Sequence, residues 1–283
     1  KDAYAKGQSI TELIKSWNLP IDFDAITLIY ELQAGSYTLF SKKESLFVEN
    51  FTTEIVSYIS KYLDRDSILL DCGTGESTNL LPILKKLCLE NAYGIDASIS
   101  RLSWAKQNAQ EFNINLNLAV ADMGCIPLPD KSIDASLTIH SLEPNGGKEA
   151  DLVAEIGRVT RNFIFFIEPD FESGSEKQKE RMGSLNFIKG LDVAIANSGY
   201  SILEKMPIRN NSNILNCASL TVVDVRSEKV HRKTPSVWVD PIYKFELQEK
   251  TEGLINDLGF WYPNLLGIPL LRKTDTQYLL SPA

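Results

Sequence analysis

The segment Ile68-Leu-Leu-Asp71-Cys-Gly73-Thr-Gly75-Glu-Ser77 decides the fold of this chain. Its apolar first half is typical of a buried strand, which ends in an acid and is followed by a turn with two glycines. Glycine permits a tight turn and lets the backbone approach a ligand closely. The segment therefore predicts a strand, a ligand-binding turn and a helix, although many α/β proteins carry a single GxG turn.

The same rhythm of short apolar strands and intervening helices continues downstream. Strands are predicted at Ser67–Asp71, Ala92–Asp96, Leu116–Ala121, Ile133–His140, Phe163–Glu168, Ser201–Pro207 and Ala218–Val225. Helices are predicted near Asn79–Cys88, Ile99–Asn108, Glu149–Val159 and Ser184–Ser198. This alternation implies a doubly wound α/β fold, with a mostly parallel sheet covered by helices on both faces.

The segments on either side follow other patterns. Residues 1–64 read as helical, with a capping box at Ser9–Glu12 and helices at about Asp24–Gln33 and Glu44–Leu63. Residues 231–283 contain several prolines and read as β-rich. We therefore expect a helical N-terminal lid, an α/β domain at 65–230 and a small β-rich C-terminal domain.

Acids after the predicted strands decide what the turn can bind. Thr78 stands where a dinucleotide fingerprint has its third glycine, and Asp71 would repel a diphosphate. A sulfonium that carries an α-amino group is instead attracted by Asp71 and Glu76. Asp96 ends the next strand, at a position where an acid accepts hydrogen bonds from ribose hydroxyls.

Asp122 and Met123 follow the third strand and suit an adenine pocket with a polar end and an apolar wall. All these acids fall at the carboxyl ends of strands, where open α/β sheets bind ligands. The alternative for Asp71, Asp96 and Asp122 is a local role as a helix N-cap or at a solvated loop end.

In this order, the residues resemble the class I S-adenosylmethionine-dependent methyltransferase family over about residues 25–226. Asp71, Gly73 and Gly75 match its glycine-rich first motif, and Asp96 matches its ribose-binding acid. The resemblance implies S-adenosylmethionine as the cofactor and methyl transfer as the activity.

Further matches extend this resemblance. Ala97 follows the ribose-binding acid, and Asp122 with Met123 matches the acid beside the adenine amino group. The segment Ile133–Pro144 resembles the fourth-strand motif that borders the methyl donor. The family fold ends in an antiparallel hairpin that completes a seven-stranded sheet, and the last two predicted strands suit it.

Tyr37, with Gln33 before it, lies in a segment that resembles a lid over the cofactor, where an aromatic hydroxyl meets the methionine carboxylate. The alternative is aromatic packing of a helix onto the sheet. Methyl transfer needs positioning and sometimes a base. His140 is the candidate base, or else a contact to substrate or cofactor or a structural hydrogen-bonding residue. Glu143 and Glu168 are further candidates for catalysis.

The C-terminal part resembles a zinc-ribbon-like domain whose relatives activate tRNA and translation-factor methyltransferases. Its two cysteine pairs would fall near Asp240 and Tyr243 and near Ile255 and Leu258, but none of these residues is cysteine. We therefore expect no zinc and no other metal. Covering the catalytic domain or forming a dimer contact is the expected role.

The sequence leaves the roles of three polar segments open. Glu168–Glu172 suits either an amine substrate or a solvated helix start, and Arg209–Asn213 is placed near the same pocket. Lys229–Lys233 is either a local basic stripe or a solvated loop.

Composition limits the function classes. The net charge of −8 opposes a broad nucleic-acid surface, and the four scattered cysteines favour a reducing, cytoplasmic location. No apolar run is long enough for a membrane span. We predict nitrogen or oxygen methylation of a small polar metabolite or activated sugar by a soluble enzyme, which could be a homodimer. The alternatives are a tRNA methyltransferase and a non-catalytic cofactor sensor of the same fold.

Overall fold

The computed structural model describes residues 14, 16–18, 23–211, 213, 215, 217–227 and 238–278. The predicted capping box at Ser9–Glu12 and the basic stripe at Lys229–Lys233 lie outside these residues, as does part of Arg209–Asn213. The domain boundary after residue 230 therefore stays a prediction.

A seven-stranded sheet forms the centre of the molecule. Its strands are β1 (Leu69–Cys72), β2 (Ala92–Asp96), β3 (Leu116–Val120), β4 (Ile133–Ile139), β5 (Thr160–Pro169), β6 (Ser201–Pro207) and β7 (Ala218–Asp224). They lie in the order β3-β2-β1-β4-β5-β7-β6, and β7 is antiparallel to both of its neighbours. This confirms the predicted doubly wound fold with a terminal hairpin. The inner strands are apolar throughout because large buried clusters cover both faces.

Eight helices surround this sheet in the described part of the chain. They are α1 (Phe23–Gln33), α2 (Ser36–Lys43), α3 (Ser45–Ile59), α4 (Leu80–Leu87), α5 (Ile99–Phe112), α6 (Glu149–Val159), α7 (Glu176–Ser184) and α8 (Leu191–Asn197). The first three form the N-terminal lid, and the apolar stripe of α3 buries Phe51, Ile55 and Ile59. No described helix has the length and apolar character that crossing a membrane requires.

The helix predicted near Ser184–Ser198 is present as α8, but it is shorter than predicted and covers only Leu191–Asn197. Helix α7 starts earlier, at a capping box made by Ser175 and Gln178, and α8 starts only after Gly190. Between them, Ile188 is buried and its amide donates to the carbonyl of Glu143 at 3.1 Å. The interruption has a physical reason, because this segment packs against the loop that follows β4.

A second, antiparallel sheet forms the C-terminal unit, which we define as residues 238–278. Its strands are β8 (Gln248–Lys250), β9 (Gly253–Ile255), β10 (Phe260–Leu265), β11 (Ile268–Pro269) and β12 (Gln277–Tyr278). The unit joins the edge of the central sheet at β3, where the Leu271 amide donates to the Val120 carbonyl at 2.7 Å. It also holds the next turn, because the Val239 amide donates to Pro127 and Lys244 Nζ donates to Ile126.

One buried carboxylate organises the C-terminal unit. Asp240 is fully buried, and its two oxygens accept four hydrogen bonds of 2.7–3.1 Å. The donors are the backbone amides of Ile242, Tyr243 and Phe245 and the side-chain amide of Asn256. Asn256 Oδ1 accepts two further backbone amides at 3.0 Å each. The pair therefore ties two turns together where the zinc-ribbon resemblance places its cysteine pairs.

Asp240→Ala should destabilise the protein by about 3 kcal/mol, because four buried donors lose their acceptor. Urea unfolding followed by tryptophan fluorescence measures the change, since Trp238 and Trp261 lie in the C-terminal unit. The matched control is Asp257→Ala, which removes an exposed carboxylate of the same sheet. Equal unfolding midpoints for the two variants would contradict the role given to Asp240.

Candidate active site

A cleft of about 570 Å³ opens between the lid helices and the carboxyl ends of the central strands. Parallel pairing of β1 with β2 and β4 brings these strand ends to one edge of the sheet. The residues that line the cleft lie at or just after the ends of the first four strands and on the lid. They are Asp71 and Gly73 at β1, Asp96 and Ala97 at β2, Asp122 and Met123 after β3, His140 and Glu143 after β4, and Gln33 and Tyr37 of the lid.

Asp71 carries a buried carboxyl group with an unpartnered oxygen. Its side chain is almost fully buried, and Oδ1 has no hydrogen-bond partner. Burial raises the pKa of Asp71 to about 7, with Asp96 adding to the rise against the opposing effects of Thr74 and Arg101. Buried carboxylate oxygens are rarely left without a donor, which points to a ligand at this position.

The glycine turn is shaped by close contacts. Gly73 has φ +80°, and a Cβ there would lie 2.4 Å from the Ser141 side chain. The Gly75 amide donates to Asp96 Oδ2 at 2.9 Å, and the Ser98 amide donates to Oδ1 at 2.9 Å. Asp96 thus fixes the turn of β1 while it lines the cleft, and each oxygen keeps a second lone pair for a ligand hydroxyl.

Asp122 and Met123 lie at the end of the cleft beside β3. Asp122 Oδ1 accepts the Gly124 amide at 2.8 Å, which fixes the turn in which both residues lie. The C-terminal unit holds the following residues of this turn, since Cys125 Sγ donates to the Pro241 carbonyl at 2.8 Å. Two separate parts of the chain therefore position this wall of the cleft.

Glu76 has a different partner from the one predicted. Its carboxylate accepts the amides of Gly35 at 2.9 Å and Thr38 at 2.7 Å, at the start of α2. A carboxylate at a helix N-terminus is stabilised by the free amides and by the helix dipole. Glu76 therefore attaches the lid to the glycine turn, although it also lines the cleft.

Arg101 is a residue of the cleft that sequence reasoning missed. Its guanidinium lies 4.8 Å from the ring centroids of both Tyr30 and Tyr37 and 3.5 Å from Asp96 Oδ2. A Cβ on Gly75 would lie 2.1 Å from its Nη2. The only sequence signal is an arginine in the first turn of a helix, where the dipole disfavours a cation. Two aromatic faces and a carboxylate compensate for that position.

His140 and Glu143 form a hydrogen-bonded pair after β4. Nδ1 of His140 lies 3.1 Å from Glu143 Oε2, and the backbone of His140 has φ +52°. Burial alone lowers the pKa of His140, but the hydrogen bond and charge of Glu143, with the charge of Glu168, outweigh it and raise that pKa. A left-handed backbone in a non-glycine residue is a form of strain found often at functional sites.

Glu168, at the end of β5, lies behind this pair and does not line the cleft. It accepts the amides of Ser141, Leu142 and Glu143 at 3.0–3.2 Å and so fixes the loop after β4. Burial raises the pKa of Glu168 to about 7, although the charge of His140 and the amide donors oppose the rise.

Other predicted residues have internal partners. Gly75 lies under Arg101 and is not among the lining residues. Asp170 accepts from Ser173, Ser219 and Lys205, and Glu172 accepts the Gly190 amide, so both of these carboxylates in the segment Glu168–Glu172 have partners within the fold. Among the described residues, no three His, Cys, Asp or Glu side chains converge as a metal site.

The chain resembles known methyltransferases in sequence over one segment and in fold. Residues 70–164 match the family model of a methyltransferase domain. A chain of the complex between the Haloferax volcanii Trm112 methyltransferase activator and a methyltransferase is 13% identical, with a TM-score of 0.55 over 71% of this chain and 100% of that one. Magnesium protoporphyrin IX methyltransferase from Synechocystis PCC 6803, solved with bound S-adenosylhomocysteine, is 14% identical, with a TM-score of 0.53 over 66% and 87%. No curated protein sequence matches the chain.

Residues 70–164 therefore resemble a methyltransferase domain, and the seven-stranded sheet has the fold of class I S-adenosylmethionine-dependent methyltransferases. The class uses S-adenosylmethionine as its cofactor, in agreement with the sequence-based prediction.

Arg101→Ala should loosen the lid, because the stacked cation between Tyr30 and Tyr37 is lost. Amide hydrogen exchange at Gly35 and Thr38 is expected to rise about tenfold or more. Arg101→Lys should restore little of the protection, since an ammonium group lacks the planar stacking surface. Gln107→Ala, at an exposed position of the same helix, is the control. Unchanged exchange in Arg101→Ala would refute the role of Arg101 in lid closure.

Proposed function

We propose that this protein is an S-adenosylmethionine-dependent methyltransferase that transfers a methyl group to the nitrogen or oxygen of a small molecule. The unpartnered, buried oxygen of Asp71 in a cleft at the carboxyl ends of the strands is the observation that carries the proposal. This donor set fits the cofactor, because a buried carboxylate suits an α-amino cation and Asp96 suits a ribose.

Each lining residue then has a role in binding. Asp71 binds the α-amino group, and Gly73 lets the backbone approach the methionine part closely. Asp96 and Ala97 hold the ribose, and Asp122 with Met123 holds the adenine. Tyr37 is assigned to the methionine carboxylate. All of these residues line the same cleft, which supports the assignment. Gly75, which the sequence also suggested, does not line it.

The bound cofactor supplies a methyl group on a sulfonium, which is already activated for in-line displacement. The chain contributes position and a base. Transfer of this methyl group to the acceptor nitrogen or oxygen would leave the sulfur of the cofactor as a neutral thioether. The acceptor proton moves to neutral His140, and Glu143 stabilises the imidazolium through the Nδ1 hydrogen bond.

The charge of the cleft favours a small acceptor over RNA. Among the described residues that line the cleft there is one guanidinium, that of Arg101, and there are five carboxylates, namely Asp71, Glu76, Asp96, Asp122 and Glu143. A phosphate backbone would meet mainly like charge. We further propose that the C-terminal unit supports the adenine end of the cleft from within the same chain, because it contacts residues 120–127.

Calorimetric titration with S-adenosylmethionine and S-adenosylhomocysteine tests the cofactor assignment. Wild type should bind both, and Asp96→Ala should weaken binding by roughly tenfold to a hundredfold through the loss of charge-assisted hydrogen bonds. Asp257→Ala serves as the distant control. Absence of binding by wild type would overturn the proposed function.

Affinity for S-adenosylmethionine should rise with pH if Asp71 binds the α-amino cation. The pKa of Asp71 is raised to about 7, so its carboxyl group is mostly protonated at pH 6 and mostly ionised at pH 8. Because only the ionised form attracts the cation, binding at pH 8 should be about tenfold tighter than at pH 6. Asp71→Asn should bind weakly and lose this dependence. A dependence that persists in Asp71→Asn would assign it to another group.

The pKa of His140 should fall in Glu143→Gln, because this change removes the carboxylate that favours the imidazolium. Nitrogen-15 NMR of the imidazole rings measures this directly, since the chain has only two histidines. A His231→Gln background leaves the His140 signal alone. In that background we expect a pKa above the ordinary value with Glu143 and a lower one with glutamine. An unchanged titration would show that the pair does not form in solution.

A further inference from the structure

We infer that the acceptor is a molecule with a flat apolar, aromatic body and one protic group, and that it carries no negative charge. This inference rests on the proposed methyltransferase function, and it narrows the acceptor class. Two features of the cleft carry it: a continuous aromatic wall on the lid, and the predominance of carboxylates over cations.

The aromatic wall consists of Phe40, Phe47 and Phe51. The rings of Phe40 and Phe47 meet edge to face with centroids 6.1 Å apart, and those of Phe47 and Phe51 stack at 5.9 Å with an interplanar angle of 13°. Phe40 is 43% exposed, whereas Phe51 is 5% exposed. All three line the cleft, so the wall runs from the surface to its interior. Such rings bind flat apolar molecules by stacking and edge contacts.

This wall lies on the acceptor side of the cleft. Phe51 belongs to a buried cluster that covers one face of the sheet and extends from Ala92 of β2 to Ile167 of β5. Phe47 and Ile139, the last residue of β4, pack against the same cluster. His140 comes directly after Ile139, so the aromatic wall and the proposed base flank the same region.

The charges of the cleft disfavour an anionic acceptor. Glu143 pairs with His140 on the acceptor side, and Arg101, the one guanidinium among the described lining residues, is held between two tyrosines beside Asp96. Among the described lining residues, no lysine or arginine side chain is placed beside Glu143 to receive a phosphate. Neutral hydroxyl compounds and cationic amines suit the site, and a phosphorylated acceptor such as an activated sugar does not.

Three naphthalene probes with one ring system and different charges test this inference: 2-naphthol, 1-naphthylmethylamine and 2-naphthyl phosphate. Calorimetry in saturating S-adenosylhomocysteine measures their binding. We expect the phenol and the amine to bind at least tenfold more tightly than the phosphate, and more tightly than uridine diphosphate glucose. Binding of S-adenosylhomocysteine without any binding of the phenol or the amine would overturn the inference and leave the proposed function intact. Absence of S-adenosylhomocysteine binding would defeat the proposed function itself.

The wall is tested by Phe47→Ala, with Leu46→Ala as the matched control. Leu46 is the preceding residue of α3, is 72% exposed and does not line the cleft. Phe47→Ala should weaken naphthol binding about tenfold through the loss of ring contacts, with S-adenosylhomocysteine binding retained. If Phe47→Ala fails to fold, the more exposed Phe40→Ala gives the same comparison. Equal naphthol affinity in the wall and control variants, or tighter binding of the phosphate than of the phenol, would refute the inference.

Discussion

Parallel pairing of β1 with both β2 and β4 is the constraint on which the cleft depends. It places the ends of these strands at one edge, so that residues far apart in sequence share a small volume. The carboxylates gathered there repel one another, and burial adds to that cost. Backbone amides offset it at Asp96 and Glu168, whereas one oxygen of Asp71 stays without a donor. The sheet thus brings together negative charge that a cationic ligand can neutralise.

The lid helices are attached to the same group of acidic residues. Glu76 binds the N-terminus of α2, and Arg101 joins Tyr30 and Tyr37 to Asp96. Both contacts start from the turns that hold the proposed cofactor site, so movement of the lid and the geometry of Asp96 are physically linked.

Helices and strands with a local apolar periodicity could be predicted from the sequence. Contacts between residues that are far apart in the chain could not. The strand at Ala92–Asp96 and the helix at Glu149–Val159 have the predicted bounds because their apolar periodicity is local. The interruption before α8 was missed because it depends on a hydrogen bond from Ile188 to the distant Glu143. Likewise, the negative charge of Glu76 suits a ligand. Only the fold shows that the backbone amides at the start of α2 bind this carboxylate instead. Arg101 belongs to no motif, and its position becomes meaningful only beside two lid tyrosines.

The C-terminal unit adds a second constraint to the same cleft. An exposed edge strand would offer free amides and carbonyls for unwanted pairing, and the bond from Leu271 to Val120 covers the edge at β3. That bond lies two residues before Asp122, and the contacts of Lys244 and Val239 hold the other side of this turn. The unit also packs against this turn through apolar side chains, since Leu271 shares a buried cluster with Ile126 and Leu128. Hydrogen bonds and apolar contacts therefore both couple the unit to the turn. Unfolding of this unit would therefore disturb the proposed adenine end of the cleft more directly than the His140–Glu143 pair, which follows β4.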